Sequence, residues 1–229
     1  KEKAKSWIVN RLGWSSPHPI MVIESDDWGM VRVASQQAQG RLRSKGYPVD
    51  QCPYNRVDGP EKSEDLAALA KILSAHQGNN GQPAVMTLNI IMANPDFERI
   101  RDSDFGHYYH VPFEQGLEAT GRGDVLDAYR AGIAQGVLCP QLHGREHIAV
   151  SRWMRVLREG QPAFIDAFEE GMSSVQTGST MSGHRDCLDW LGLAPEDPEF
   201  DKLADAIRDA QRLFEACWGA PSESFMAPC

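Results

Sequence analysis

The chain has 229 residues, 41% hydrophobic and 24% charged, a composition that suits one large domain or two small ones and excludes a disordered or collagen-like polymer. With 23 basic and 32 acidic side chains the net charge is −9, and no Lys/Arg-rich run stands out, which argues against a nucleic-acid partner. No apolar stretch approaches the ~20 residues of a membrane-spanning helix.

Five scattered cysteines (Cys52, Cys139, Cys187, Cys217, Cys229) lack C-x-x-C spacing and read as free thiols. Lys1 to Leu12 contains no signal-type apolar core, which slightly favours the cytoplasm and leaves the compartment otherwise open. Nothing in the sequence sets the oligomeric state.

In chain order, Pro19–Ile23 is a short apolar, β-branched run and predicts a first buried strand. A loop-rich stretch follows. Ser63 is a good N-cap for a helix whose Leu66, Leu69, Ala70 and Leu73 share one face, with Gly78 as its stop. Pro83–Ile91 predicts a second strand, closed by Asn94-Pro95, and Asp124–Gln135 predicts a helix. Val137–Cys139 opens a third strand that delivers Gln141, Leu142 and His143. Helices are expected over Ala149–Arg158, Ala163–Gly171 and Asp197–Cys217, the last with Leu203, Ile207, Ala210 and Phe214 on one face. Ser222–Ala227 predicts a fourth strand. Strands separated by helices imply crossover connections and a parallel sheet, either an open doubly wound α/β fold or a (β/α) barrel.

In both architectures chemistry sits at the carboxyl ends of the strands. There the sequence places Glu24 to Gly29, then Asn89 and Asn94, then Gln141 to His147. His143 and His147, four apart on a helical turn, would put two imidazoles on one face, close enough to share a metal ion. Two imidazoles and one carboxylate leave open coordination positions, as a catalytic site requires. If the chain turns at Asp26-Asp27, one carboxylate could ligate the ion while the other takes a proton from metal-bound water.

These residues resemble the polysaccharide deacetylases. Ser25-Asp26-Asp27-Trp28-Gly29 is similar to their T-F-D-D-G motif, and His143-Gly144-Arg145-Glu146-His147 to H-[ST]-x-x-H. Phe225-Met226-Ala227-Pro228-Cys229 stands where F-R-x-P-Y would fall. The nearest resemblance is to a divergent bacterial branch with S-D-D-W-G and H-G-R-E-H motifs. It implies an irregular (β/α) barrel, one divalent metal (zinc, with cobalt, nickel or iron as alternatives) on Asp27, His143 and His147, and Asp26 as base. The implied reaction removes an acetyl group from a carbohydrate substrate. Gly144 and Met226 depart from the family pattern. Met226 replaces an arginine that orients the base, a place that Arg145, Arg32 or Arg185 could fill. The family's late general-acid motif has no counterpart before Cys229, so the barrel is expected to be incomplete at the C-terminus, truncated after the fourth strand.

Asn89, Asn94, Trp28 and Arg145 are the candidate substrate-binding residues. Asn94 would otherwise start a turn, and Trp28 would otherwise be core. The aromatic loop Phe105–His110 could border a sugar subsite or simply pack, and His184 is a candidate acid. A rival reading takes His143-x-x-Glu146-His147 as the inverted zincin pattern of a metallopeptidase, with Glu146 as base, although Pro140 and Gly144 oppose the helix it needs. A non-enzymatic carbohydrate-binding barrel with a degenerate site is the third reading.

Overall fold

A computed structural model of the protein describes residues 16–49, 56–57, 59–173 and 198–228. Its centre is a parallel sheet of β1 (Glu24–Trp28), β2 (Met86–Ile91) and β5 (Leu138–Gly144), in the order β1-β2-β5. Parallel neighbours require long crossovers. The first carries α1 (Gln36–Ser44) and α2 (Ser63–Ala75). The second carries β3 (Ala93–Pro95), α3 (Phe97–Asp102), β4 (His110–Pro112), α4 (Phe113–Ala119) and α5 (Gly123–Ala134). β3 and β4 pair antiparallel as a separate small ladder. After β5 come α6 (Val150–Arg158), α7 (Pro162–Glu169) and α8 (Pro198–Trp218).

The helices fall where their apolar stripes predict. Leu66, Ala70 and Leu73 of α2 pack with Val125, Leu126 and Tyr129 of α5 and with Leu88, Ile90, Leu138 and Leu142 of the sheet. Ala210 and Phe214 of α8 join the same cluster. A second cluster gathers Ile91, Ile100, Trp153 and Phe168, with Phe105, Tyr108 and Tyr109 packed against it. The aromatic loop is therefore a packing element. Ser63 is the first helical residue of α2 rather than its cap; Lys62 occupies the cap and Ser63 Oγ donates to Asp124 Oδ2 at 2.5 Å.

Two expectations need correction. The first strand is not Pro19–Ile23: Ile20, Met21 and Val22 are 60%, 84% and 69% exposed, and the strand is the polar segment after them. The ladder with β2 starts at Thr87, whose N–H donates to Ile23 O at 2.9 Å, so the residues before Ile23 have no strand to pair with. The fourth strand shrinks to a single parallel bridge, Leu142 to Phe225, with Met226 N–H donating to Leu142 O at 3.1 Å. The fold is mixed α/β with a small parallel sheet, and no closed barrel forms among the described residues. No helix among them is long and apolar enough to cross a membrane. Cys139 and Cys217 are free thiols.

Candidate metal centre

Two register breaks build the site. Ser25 pairs with Leu88 and Trp28 with Ile90, so β1 carries one extra residue opposite β2. Ile90 pairs with Leu142 and Ile91 with Gly144, so β5 also carries one extra residue, His143. Such bulges re-aim side chains next to functional sites. In β1 the irregularity is concentrated at Asp27, whose φ of 64° is left-handed and costly for a residue with a Cβ. Extended backbone would send Asp26 and Asp27 to opposite faces; the turn at Asp27 frees its carboxylate from that alternation. In β5 Gly144, with φ 128°, turns the chain after His143 and returns His147 to the same place. The two histidines do not share a helix, as their spacing suggested. One ends a strand and the other lies in the bend before α6.

Asp27 Oδ1 lies 3.4 Å from His143 Nε2 and 3.4 Å from His147 Nε2. One donor atom from each of the three residues falls within 4.8 Å of the others, a group that could hold a metal ion. Two ligands at about 2.0–2.1 Å from a tetrahedral ion sit roughly 3.4 Å apart, so this spacing is the one such an ion demands. Asp27 Oδ1 and His143 Nε2 are also buried with no hydrogen-bond partner, and buried polar atoms left this way call for an explanation. A cation held between them would supply it.

The ligands are braced from behind. His143 Nδ1 lies 3.0 Å from the carbonyl oxygen of Met226, which can only accept, so Nδ1 carries the proton and Nε2 presents its lone pair to the site. Arg32, itself buried, donates to Asp27 Oδ2 at 2.6 Å, leaving Oδ1 for the ion. Burial opposes ionisation of Asp27. The adjacent His143 and His147 rings and the Arg32 guanidinium outweigh it and hold the carboxyl far below its ordinary range. Burial, with the Arg32 charge adding to it, pushes His147 below its usual value against the pull of Asp27, which favours the neutral imidazole, the form that can bind a metal.

Sequence reasoning missed the clamp on the turn. Glu61 accepts from Gly29 N–H and, at 3.1 Å, from Tyr129 Oη, while Arg122 donates to the Glu61 carbonyl. Glu61 lies in a loop distant in sequence and has no periodic or motif signal to mark it.

The other predicted residues separate by role. Asp26 is exposed, and no hydrogen bond or ion pair among the described residues engages it. Asn89 is buried in β2, and its amide reaches Met226 Sδ at 3.6 Å. Asn94 belongs to the fold: it accepts from Val31 N–H at 2.8 Å and donates to Gly29 O at 2.8 Å. Trp28 packs edge-on against Tyr129, with ring centroids 6.1 Å apart. Arg145 is committed to Glu146 at 2.6 Å and to Asp209 at 3.1 Å. Of the three arginines offered in place of the third-motif arginine, Arg32 reaches the site, but it holds the ligand Asp27 rather than Asp26. Arg185 and His184 lie outside the described residues.

Glu146 is buried and paired with Arg145 by two hydrogen bonds. The segment 143–147 is not helical. The helical zincin arrangement is therefore not the one these residues adopt. Comparison with protein-family models, with curated proteins and with solved structures returned no match.

Proposed function

We propose that the protein is a metal-dependent hydrolase that removes N- or O-acetyl groups from a sugar or polysaccharide, with zinc as the expected metal and cobalt, nickel or iron as alternatives. The observation that carries this reading is the convergence of Asp27 Oδ1 with two imidazole Nε2 atoms at 3.4 Å, with exposed Asp26 preceding Asp27 in the chain. A divalent ion held on these donors would polarise an acyl oxygen and, if zinc, lower the pKa of a bound water to about 7. The chain's own residues do the rest. Asp27, His143 and His147 would hold the ion; Arg32 keeps the second Asp27 oxygen occupied; Asp26 would take the proton as water attacks the acyl carbon and return it to the sugar nitrogen or oxygen as the bond to the acyl carbon breaks and acetate leaves. Asn89, beside Met226, is the substrate-binding candidate whose amide is least committed to the fold.

The experiment pairs metal content after gentle purification with acetate release from N-acetylated oligosaccharides, using casein cleavage as the contrast. Wild type should carry a divalent ion and release acetate. His143→Ala should carry none. Asp26→Asn should keep the ion and lose roughly 10²–10⁴-fold in rate. Unchanged metal stoichiometry in His143→Ala, or casein cleavage without acetate release, sinks the reading. Metal binding with neither activity favours the carbohydrate-binding barrel.

A further inference from the structure

We infer that Gln141 is a positioning residue for the metal centre: it docks segment 222–226, whose Met226 carbonyl orients His143, so that metal binding and docking of this segment are coupled. The inference rests on the metal reading above and concerns a residue that neither touches the ion nor belongs to the recognised motifs.

Gln141 is buried in β5, two residues before His143. Its Oε1 accepts from Ser224 N–H at 2.7 Å and faces Ser222 Oγ at 2.8 Å and Ser224 Oγ at 3.0 Å. A backbone N–H can only donate, so the amide oxygen, not the nitrogen, must face Ser224. Leu142 N–H donates to Ser222 Oγ at 2.8 Å, and Met226 N–H to Leu142 O at 3.1 Å. The segment therefore lies along β5 by polar contacts. Little apolar burial helps it: Phe225 is 42% exposed and Met226 36% exposed. Three of its contacts converge on one side-chain oxygen, so removing that oxygen loosens the whole attachment.

The far end of the attachment is His143 Nδ1, 3.0 Å from Met226 O. A cation on Nε2 makes the Nδ1 proton more acidic and strengthens that bond, and the docked carbonyl in turn makes the imidazole a better ligand. Linkage requires that whatever docking adds to metal affinity, metal binding adds to docking.

The test uses the full chain, Zn²⁺ as the probe, and two variants. In wild type, zinc should slow hydrogen exchange at the Ser224 and Met226 amides. Gln141→Met, which removes the acceptor, should weaken zinc binding about tenfold or more and abolish that protection. Gln141→Glu, which keeps an acceptor oxygen, should stay within about threefold of wild type. A residue that only stabilised the fold would lower Tm in both variants without moving zinc affinity and amide exchange together. Zinc bound by wild type with no change at these amides overturns the coupling and decides the matter even if Gln141→Met fails to fold. Equal zinc affinity in wild type and Gln141→Met overturns it too. No zinc bound by wild type overturns the metal reading, and this inference with it.

Discussion

The turn that aims Asp27 depends on Gly29, and this dependence can be measured. Gly29 has φ 79°. A Cβ placed there would sit 2.7 Å from Ile91 O and 3.0 Å from the Phe113 ring. The Ile91 carbonyl is central-strand backbone and cannot step aside. Gly29→Ala therefore carries a left-handed cost of roughly 1–2 kcal/mol and an overpacking cost of about 1–3 kcal/mol. A total near ~3 kcal/mol lowers Tm by about 6–12 °C for a chain of this length. Gly136→Ala is the control: φ is 71°, but nothing lies within 4 Å of the new Cβ. It should lose only the conformational part, about 2–8 °C and less than Gly29→Ala. Circular-dichroism melts of the two variants measure the difference. If they melt together, the close approach of Ile91 to the turn is not what selects glycine, and the reasoning about how Asp27 is held is wrong.

Other expectations follow from the same contacts. Arg32→Met leaves Asp27 Oδ2 without its charged donor; the metal-free protein should lose roughly 1–3 kcal/mol in urea titration, and an unchanged midpoint would refute the bond's contribution. Burial pushes the Cys217 thiol up to about 12, with Glu114 adding to the effect. At pH 9 the folded protein should hold Cys217 roughly five-hundredfold poorer in thiolate than the unfolded chain, so iodoacetamide labelling at this site should wait for denaturant. Tyr47 donates to Asp166 at 2.6 Å; this bond, then burial, raises the phenol to about 12. A raised folded pKa adds stability that is full below pH 10 and is lost as pH climbs to 12, so stability measured across that window should fall more steeply in wild type than in Tyr47→Phe.

What was legible in the sequence divides along physical lines. The helices were legible because each buries a stripe: Leu66, Ala70 and Leu73 announce α2 without help from the rest of the chain. β1 was misplaced because hydrophobicity marks burial, and the strand that carries the site is polar. Ile20, Met21 and Val22 drew the prediction upstream, while pairing with β2 selected Glu24–Trp28. Asp27, His143 and His147 stood out as residue types at strand ends, yet the assumed geometry, two histidines on a helical turn, was wrong. Asn94 and Arg145 read as site residues because polar side chains at a strand end look alike in sequence. Only the fold shows that one clamps the Gly29 turn and the other neutralises buried Glu146. Glu61 was invisible, since its partners lie at Gly29, Arg122 and Tyr129 and no local pattern links them.

The two bulges explain why this sheet can carry a three-ligand centre at all. In a regular parallel sheet, β1 and β5 flank β2, and their neighbouring side chains across β2 are separated by about twice the ~4.8 Å strand spacing. A carboxylate and an imidazole on those outer strands would then point along parallel directions, too far apart to share an ion. One extra residue in each outer strand, opposite the same stretch of β2, breaks that parallelism on both sides and turns Asp27 and His143 toward each other. The left-handed backbone at Asp27 and the glycine at 144 are the local means, and the 3.4 Å approach of Oδ1 to Nε2 is the result. On this argument the β1 bulge cannot be removed without losing the centre. Deleting Asp26 would restore the register with β2 while keeping Asp27 in the chain, and it should abolish metal binding as completely as His143→Ala. Retained metal in the deletion variant would show that the ligands converge by some route other than the bulges.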